Sequence, residues 1–264
     1  MTGVWIAMAV VALTGAIIGV FLGVAGEKFK VEVDEKELLI RDELPGNNCG
    51  GCGFAGCDAL AKAIAQGTAP VNGCPVGGDI AAQKIAKIMG ETVKLGAKPY
   101  AFVKCSGNCE KAKANYNYIG PKDCNMAMNT PGSGPKACSF GCTGFGSCKA
   151  VCEFGAIEIV DGIAVIDKEK CKACGKCVAT CPKHLIEIVP GDTPYMVACS
   201  SQDKGKDVKE VCQTGCIGCS LCVKNCPAEA ITMQGNVAKI DTDKCVGCRI
   251  CAEKCPAKVI KELS

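Results

Sequence analysis

Cysteine spacing is the feature that most restricts what this chain can fold into. Of its 264 residues, 25 are cysteines, and most of them stand in runs with two or three residues between neighbours. Such close neighbours cannot brace a fold by pairing with each other, so the pattern indicates metal sites in a reducing compartment. Aromatic residues make up only 5% of the chain, and a core so poor in large side chains needs another source of stability.

Three runs follow the pattern C-x2-C-x2-C-x3-C-P completely, at residues 171–182, 216–227 and 245–256. In this pattern three thiolates hold one [4Fe–4S] cluster, and the fourth binds the other cluster of a two-cluster module. Zinc is the alternative for C-x2-C pairs. However, zinc sites join two such pairs across a longer gap and do not place four thiols at these spacings.

The second half of the chain contains a repeat with a period of 74 residues. Cysteines of the first copy recur at this offset in the second: Cys138, Cys142, Cys148, Cys152, Cys171, Cys174, Cys177 and Cys181 become Cys212, Cys216, Cys222, Cys226, Cys245, Cys248, Cys251 and Cys255. Each copy also has short apolar alternations around a turn, at residues 156–166 and 230–240, which predict a β-hairpin. Each copy is therefore predicted to be a two-cluster ferredoxin-like module.

Exchange of the fourth cysteine between the two runs of a module predicts four ligand sets. They are Cys216, Cys219, Cys222 and Cys255; Cys245, Cys248, Cys251 and Cys226; Cys171, Cys174, Cys177 and Cys152; and Cys138, Cys142, Cys148 and Cys181. The last set departs from the pattern, because Phe145 stands where the second module has Cys219 and Glu153 replaces the usual proline. We expect Cys138 to supply the missing thiolate. The alternative is a cluster held by three thiolates.

A different four-thiolate group precedes the repeat, formed by Cys49, Cys52, Cys57 and Cys74. Its many glycines permit tight turns around a bulky cofactor. Residues 51–56 also satisfy the dinucleotide-binding pattern G-x-G-x-x-G. That pattern requires a preceding strand, whereas here a Pro-Gly-Asn-Asn segment precedes it, so we treat the match as accidental.

Five thiols remain, and four of them would make a sixth cluster. We assign Cys105, Cys109 and Cys124 to it together with Cys199, and leave Cys212 as the odd thiol. The reason is that Cys105 and Cys199 each follow a Pro-Tyr pair and a short apolar run, which suggests two strands lying side by side. The sequence thus predicts about six [4Fe–4S] clusters.

The N-terminal segment has the composition of a membrane anchor. Residues 1–26 contain no charged side chain, and residues 4–25 are long enough to cross a bilayer as a helix. A cleaved signal peptide would have a basic start and a shorter apolar core. Positive residues follow the span and none precedes it, so the cysteine-rich body is predicted to be cytoplasmic. These residues are Lys28, Lys30, Lys36 and Arg41. The spacing of Gly15, Gly19 and Gly23 permits a partner helix to approach closely.

The predicted fold class is α+β. A transmembrane anchor (1–26) and a linker (27–45, with a short strand at residues 37–40) precede a small α-helical [4Fe–4S] domain (46–98). A cysteine-containing insert (99–137) precedes the first ferredoxin-like module (138–190), and a connector (191–211) leads to the second (212–264). Within the helical domain, apolar spacing predicts one helix that ends at Gly67, and a second from an N-cap at Asp79 to Met89, before Gly90.

Other classes of function find little support. The formal net charge is +3 and the pI about 7.9, so there is no nucleic-acid footprint. His184 is the single histidine, which excludes a Rieske centre, since that needs two. Nothing resembles a Ser/His/Asp set or a flavin site, and we assign no catalytic residue.

With these residues in view, the chain resembles the B subunit of Rnf-type electron transport complexes, called Rsx in some bacteria. The resemblance extends over essentially the whole length: the glycine-rich anchor, Leu44-Pro45-Gly46 before Cys49-Gly50-Gly51-Cys52-Gly53, Cys74-Pro75 and the ferredoxin-like modules. It implies a translocase in the cell membrane that couples electron flow from reduced ferredoxin to NAD⁺ with pumping of Na⁺ or H⁺.

The resemblance also implies a role and a set of partners. The chain would be an electron-relay subunit without a complete active site, on the cytoplasmic side. Its partners would be soluble ferredoxin, membrane lipid, integral membrane subunits and an NAD- and FMN-binding subunit. The alternative is a membrane-anchored polyferredoxin that serves another redox complex, for example one that reduces a regulatory iron–sulfur protein.

Overall fold

The computed structural model describes residues 2–28, 34–93 and 96–263 of the chain. Its helices are α1 (Thr2–Lys28), α2 (Glu35–Glu43), α3 (Cys57–Ala65), α4 (Gly78–Met89), α5 (Cys124–Met128), α6 (Ser147–Ala150), α7 (Lys176–Thr180), α8 (Gly205–Val211), α9 (Leu221–Lys224) and α10 (Ile250–Lys254). Its strands are β1 (Tyr100–Val103), β2 (Ile157–Val160), β3 (Ile163–Ile166), β4 (Ile186–Val189), β5 (Tyr195–Val197), β6 (Ile231–Gln234), β7 (Val237–Ile240) and β8 (Ile260–Glu262).

Helix α1 carries the apolar N-terminal segment. It has 27 residues, which at 1.5 Å per residue is about 40 Å, long enough to cross a hydrocarbon core of about 30 Å. The stretch Val10–Lys28 has a mean hydropathy of 2.0, and none of it is buried against the rest of the chain. Lys28 ends the helix. Lys30, one of the positive residues behind the predicted orientation, lies outside the described residues.

The small helical domain contains α2, α3 and α4 around a core of Ile40, Leu60, Ile64 and Ile85. Both helices predicted from apolar spacing are present, and Gly90 ends α4 in the left-handed conformation. The strand predicted at residues 37–40 is wrong. That segment lies in α2, whose N-terminus is capped by the Asp34 side chain accepting from the Lys36 N–H, a local hydrogen bond that favours helix.

The N-cap prediction at Asp79 is also wrong. Gly77 occupies the N-cap position of α4, and Asp79 lies in the first turn. An acidic side chain is favourable there as well, because the first turn carries the positive end of the helix dipole. The predicted start of the helix therefore lies within two residues of the observed start, but the predicted cap residue is wrong.

Both predicted hairpins are present, as β2–β3 and β6–β7. The first turn places Asp161 at φ +46° and Gly162 at φ +75°, the left-handed pair that a two-residue hairpin turn requires. In the second hairpin β6 runs on to Gln234, so its turn consists of Gly235 and Asn236.

The first and last strands of each unit pair with each other. β1 pairs antiparallel with β4, and β5 pairs antiparallel with β8. The expectation that the segments before Cys105 and Cys199 pair side by side is therefore wrong: each pairs within its own half of the chain. We define the first unit as residues 100–189 and the second as residues 195–262. The first unit encloses residues predicted as an insert, and the second begins inside the predicted connector.

The helical domain contacts the first unit at Gly51. A Cβ atom added there would lie 2.5 Å from the carbonyl oxygen of Cys174 and 2.9 Å from its Cα. Backbone cannot move aside as the end of a side chain can, so only glycine allows this approach. The loop around Cys52 is thereby held against the loop around Cys174.

We expect Gly51→Val to separate the helical domain from the first unit. Overpacking against backbone costs roughly 1–3 kcal/mol, and the free energy would be lost from this contact rather than from either core. Limited proteolysis should show faster cleavage between residues 90 and 99, with both halves still folded. Gly96→Val is the control, because a Cβ at Gly96 meets open space. Equal cleavage of the two variants would show that the contact at Gly51 does not hold the domain.

Candidate metal centres

Three thiols of the helical domain, Cys52, Cys57 and Cys74, lie close together. Burial raises the pKa of Cys74, and the charges of Cys57 and Cys52 raise it further, which shows that the three are close neighbours. The Gly77 N–H donates to Cys74 Sγ at 3.3 Å. Cys49 lies three residues before Cys52. The pKa of Lys176 in the first unit is raised, chiefly by its hydrogen bond to Glu153, and the charge of Cys49 contributes.

In each unit one run has its thiols beside the fourth thiol of the other run. Cys177 lies near Cys171, Cys174 and Cys152, and these four line a space of about 340 Å³. In the second unit Cys222 lies near Cys216, Cys219 and Cys255, and Cys251 lies near Cys245 and Cys248. Cys226 accepts from the Ala230 N–H at 3.3 Å, as expected for the last thiol of a run that turns into a strand.

The remaining thiol-lined space of the first unit differs from the sequence prediction. A space of about 420 Å³ is lined by Cys142, Cys148 and Cys181, as predicted, but its fourth thiol is Cys124. Burial raises the pKa of Cys148 to about 12, and the charges of Cys142, Cys124 and Cys181 contribute. Cys138, which the sequence assigned here, is not among the lining residues.

Local contacts explain how Cys124 reaches this space. Its N–H donates to Ser147 Oγ at 2.8 Å, and Ser147 Oγ donates to the Asp123 carboxylate at 2.9 Å. These bonds join α5 to α6. The Met126 N–H and, to a smaller extent, the Ser147 hydroxyl hold the pKa of Asp123 below its usual range. Phe145 stacks on Tyr118, with ring centroids 4.8 Å apart. The segment with Cys124 thus folds over the position where the first unit lacks a thiol.

A third thiol-lined space lies between the two units, and four further thiols line it. They are Cys105, Cys138, Cys199 and Cys212, around about 390 Å³. A Cβ at Gly107 would be 3.2 Å from Cys212 Sγ and 3.8 Å from Cys105 Sγ. Burial raises the pKa of Cys138, with contributions from Cys105 and Cys212, and raises that of Cys199 to about 11, with contributions from Cys216 and Cys138.

The grouping of Cys105, Cys109, Cys124 and Cys199 predicted from the sequence is not found in the structure. Cys109 is exposed; its N–H donates to Asp161 O in the β2–β3 turn, and its thiol lies beside Gly162. Cys124 lies in the first unit's own space. A signal for Cys212 was present in the sequence, since it is the repeat partner of Cys138, and partners in a duplicated unit are expected to have equivalent surroundings.

Two lysines are placed beside these spaces. Lys136 is buried, and its Nζ donates to the carbonyls of Gly107 at 2.8 Å and Gly162 at 2.7 Å. Lys183 Nζ donates to Gly141 O at 2.9 Å. Burial lowers the pKa of Lys183, whereas the charges of Cys138, Cys142 and Cys105 raise it. Neither ammonium group forms an ion pair with a carboxylate of the described residues, and each lysine lines one of the thiol-lined spaces.

The residues fit [4Fe–4S] clusters. Each of the three spaces is lined by four thiols and by no carboxylate, and the two spaces within the first unit are lined mainly by apolar side chains. Backbone N–H groups point at sulfur, for example from Ala101 to Cys171 at 3.4 Å. In the described part of the chain, no three Cys, His, Asp or Glu side chains approach closely enough for a single metal ion.

Neighbouring sites are close to each other. Burial raises the pKa of Cys148, which lines one space, and the charge of Cys177, which lines the next, raises it further. The Cys142 N–H donates to Cys105 Sγ at 3.4 Å, and the Cys216 N–H donates to Cys199 Sγ at 3.3 Å. Cys142 and Cys216 are themselves predicted ligands of the neighbouring sites. The space between the units therefore adjoins a thiol group on each side.

Comparison with known families agrees with this chemistry. A family described as "Putative Fe-S cluster" matches residues 44–76, a "4Fe-4S binding domain" matches residues 164–187 and a "4Fe-4S dicluster domain" matches residues 215–259. The first match coincides with the thiol group of the helical domain, and the others lie within the two units.

Several whole-length relatives are similar to the chain. The B subunit of an ion-translocating oxidoreductase complex from Methanosarcina acetivorans is 42% identical over 237 residues, 90% of each protein. The B subunit of a Na⁺-translocating ferredoxin:NAD⁺ oxidoreductase complex from Acetobacterium woodii is 45% identical over 92% of this chain and 73% of its own length. The proton-translocating counterpart from Clostridium ljungdahlii is 40% identical over 89% of this chain and 83% of its own length.

We expect Lys183→Met to lower the reduction potential of clusters in the first unit. A buried positive charge stabilises the more negative, reduced state. For charges roughly 8 Å apart at an effective dielectric of about 20, the change is about 2 kcal/mol, or about 90 mV for a one-electron couple. Redox titration followed by EPR measures it. The second unit has Ala257 at the repeat position, so its potentials should not move, and exposed Lys258→Met is the control. An unchanged titration would exclude this role for Lys183.

Proposed function

The chain belongs to the family of B subunits of ion-translocating oxidoreductase complexes, and we propose that electrons from reduced ferredoxin pass through it to the rest of such a complex. Its relatives are named as subunits of ferredoxin:NAD⁺ oxidoreductases that translocate Na⁺ or protons. The chain is an iron–sulfur electron-transfer subunit.

We propose six cluster sites, with a two-cluster arrangement in each unit. When bound, a [4Fe–4S] cluster supplies a one-electron redox centre. The chain's own residues perform the supporting tasks. Thiolates hold the iron, backbone N–H groups donate to sulfur, and apolar walls such as Val103, Ile159 and Ile186 exclude water. Lys136 and Lys183 offset negative charge between the sites of the first unit.

The observation that carries this proposal is the contact between successive thiol groups. Gly51 holds the helical domain against Cys174. Within the first unit Cys177 is near Cys148, and within the second Cys222 is near Cys251. Electron transfer over several sites requires such neighbours. A catalytic iron–sulfur enzyme would instead need one site open to a substrate.

We propose that α1 anchors the protein in the membrane with the remaining domains in the cytoplasm. The anchor is α1, the helical cluster domain contains α2, α3 and α4, and the two ferredoxin-like units begin at β1 and β5. Integral membrane subunits would pack near α1, where a Cβ added at Gly15, Gly19 or Gly23 would meet open space. An NAD- and FMN-binding subunit and soluble ferredoxin complete the proposed set of partners.

We expect the purified anaerobic protein to contain about 24 iron atoms per chain with equivalent acid-labile sulfide and little zinc. This number follows from six clusters of four irons, each held by four thiolates. Iron and sulfide analysis on the full chain tests it. A value near 16 iron atoms in fully loaded protein would contradict the six-site count.

The cluster at Cys52 is predicted to be the exit toward the membrane. It belongs to the domain that follows α1, whereas the units are attached further along the chain. Cys52→Ala should leave reduction of the remaining clusters by reduced ferredoxin intact, as seen by stopped-flow spectroscopy. The same change should abolish ferredoxin-dependent NAD⁺ reduction by the assembled complex.

Two controls accompany the Cys52→Ala measurement. Iron analysis must show a loss limited to about four atoms, and a chain without residues 1–26 should be soluble, accept electrons from ferredoxin and fail to support turnover. Normal turnover in a Cys52→Ala complex shown to lack that cluster would mean that the exit lies elsewhere.

A further inference from the structure

We propose that Cys105, Cys138, Cys199 and Cys212 form a [4Fe–4S] site shared between the two ferredoxin-like units, that Cys124 completes the first unit, and that Cys109 is the free thiol. This inference rests on the proposed function only in the nature of the cofactor. The thiols line one space of about 390 Å³. Two come from each unit, so neither unit holds the site alone.

Around the shared site, the two units are related by an approximate two-fold symmetry. Ser106, after Cys105, donates through its hydroxyl to Ala198 O at 3.3 Å. In return Ser200, after Cys199, donates to Lys104 O at 3.2 Å. The two donors and the two acceptors occupy corresponding places after β1 and β5. Such a reciprocal pair is the mark of an isologous contact, here between copies within one chain.

The same relation holds for the N–H groups that reach these thiols. Cys142 donates to Cys105 Sγ, and its repeat partner Cys216 donates to Cys199 Sγ. Cys138 and Cys212 are also repeat partners. Every thiol of the site therefore has a counterpart in the other unit, and Cys105 and Cys199 have matched hydrogen bonds. A chance gathering of spare cysteines would not produce paired environments.

Backbone contacts hold Cys212 in the site. Residues 111–113 pair with residues 211–213: the Gln213 N–H donates to Lys111 O, and the Lys113 N–H donates to Val211 O. Thr214 donates through its hydroxyl to Ser106 O at 3.2 Å. The segment of the first unit that passes Cys109 thus contacts Cys212, while Cys109 itself faces the β2–β3 turn and is exposed.

The proposed sites account for every cysteine of the chain but one. Six sites of four thiolates use all cysteines of the chain but Cys109. Cys138 is then not available to replace the thiolate missing at Phe145, and Cys124 takes that role through its bond to Ser147. The two changes of assignment depend on each other, so one measurement tests both.

The first test uses the native full chain, anaerobic and fully loaded with iron. N-ethylmaleimide is added, excess reagent is removed, and the clusters are then destroyed so that iodoacetamide marks the thiols that had been protected. Peptide mass spectrometry reports the label on each of the 25 cysteines. We expect maleimide on Cys109 alone. Maleimide on Cys212, Cys138 or Cys124, or protection of Cys109, overturns the proposal.

The second test compares two matched variants, Cys212→Ala and Cys109→Ala. The first should lose about four irons with the corresponding sulfide, and the second should lose none. Loss from the Cys109 variant, or full iron content in the Cys212 variant, overturns the assignment. If Cys212→Ala does not fold, the labelling of the native chain decides alone. Neither measurement uses NAD⁺ reduction, so a failure here is distinct from a failure of the proposed electron-transfer role.

Discussion

Each half of this molecule is organised around groups of thiols, and the members of each group must face a common point. Cys148, Cys171 and Cys177 belong to the apolar core of the first unit, together with Tyr100 and Ile157. Cys216, Cys222 and Cys251 belong to the apolar core of the second unit. The strands around them form sheets of only two strands, which are marginal in isolation. The bonds to iron therefore replace the packing that larger side chains would otherwise provide, and secondary structure is short because it has only to direct sulfur inward.

The sequence was informative wherever the constraint is local. The run spacings, the 74-residue offset and the Asp161-Gly162 turn each depend on a few neighbouring residues, and the hairpins and the close approach of thiols within each unit followed from them. Helix α4 was placed correctly by its apolar spacing and Gly90. The strand expected at residues 37–40 was wrong because the Asp34 cap is a hydrogen bond that spacing alone does not reveal.

Long-range partners were harder to infer. The bond between Cys124 and Ser147, and the pairing of residues 111–113 with 211–213, join segments that no local pattern connects. Counting unassigned thiols gave the size of the sixth group but not its members. The strands before Cys105 and Cys199 were rightly seen as equivalent. Equivalence in a duplicated chain, however, implies the same partner within each copy rather than pairing with each other.

Burial of the thiols has a consequence for how the protein is made. Before iron arrives, the spaces of about 340–420 Å³ lie at the centre of small cores, and thiols such as Cys148, with a pKa near 12, are protonated. Cluster insertion must therefore displace protons and complete the core in the same event. In a cell short of iron, newly synthesised chains would remain open to proteases. The cellular amount of this protein would then follow the supply of iron and sulfide, without any dedicated regulator.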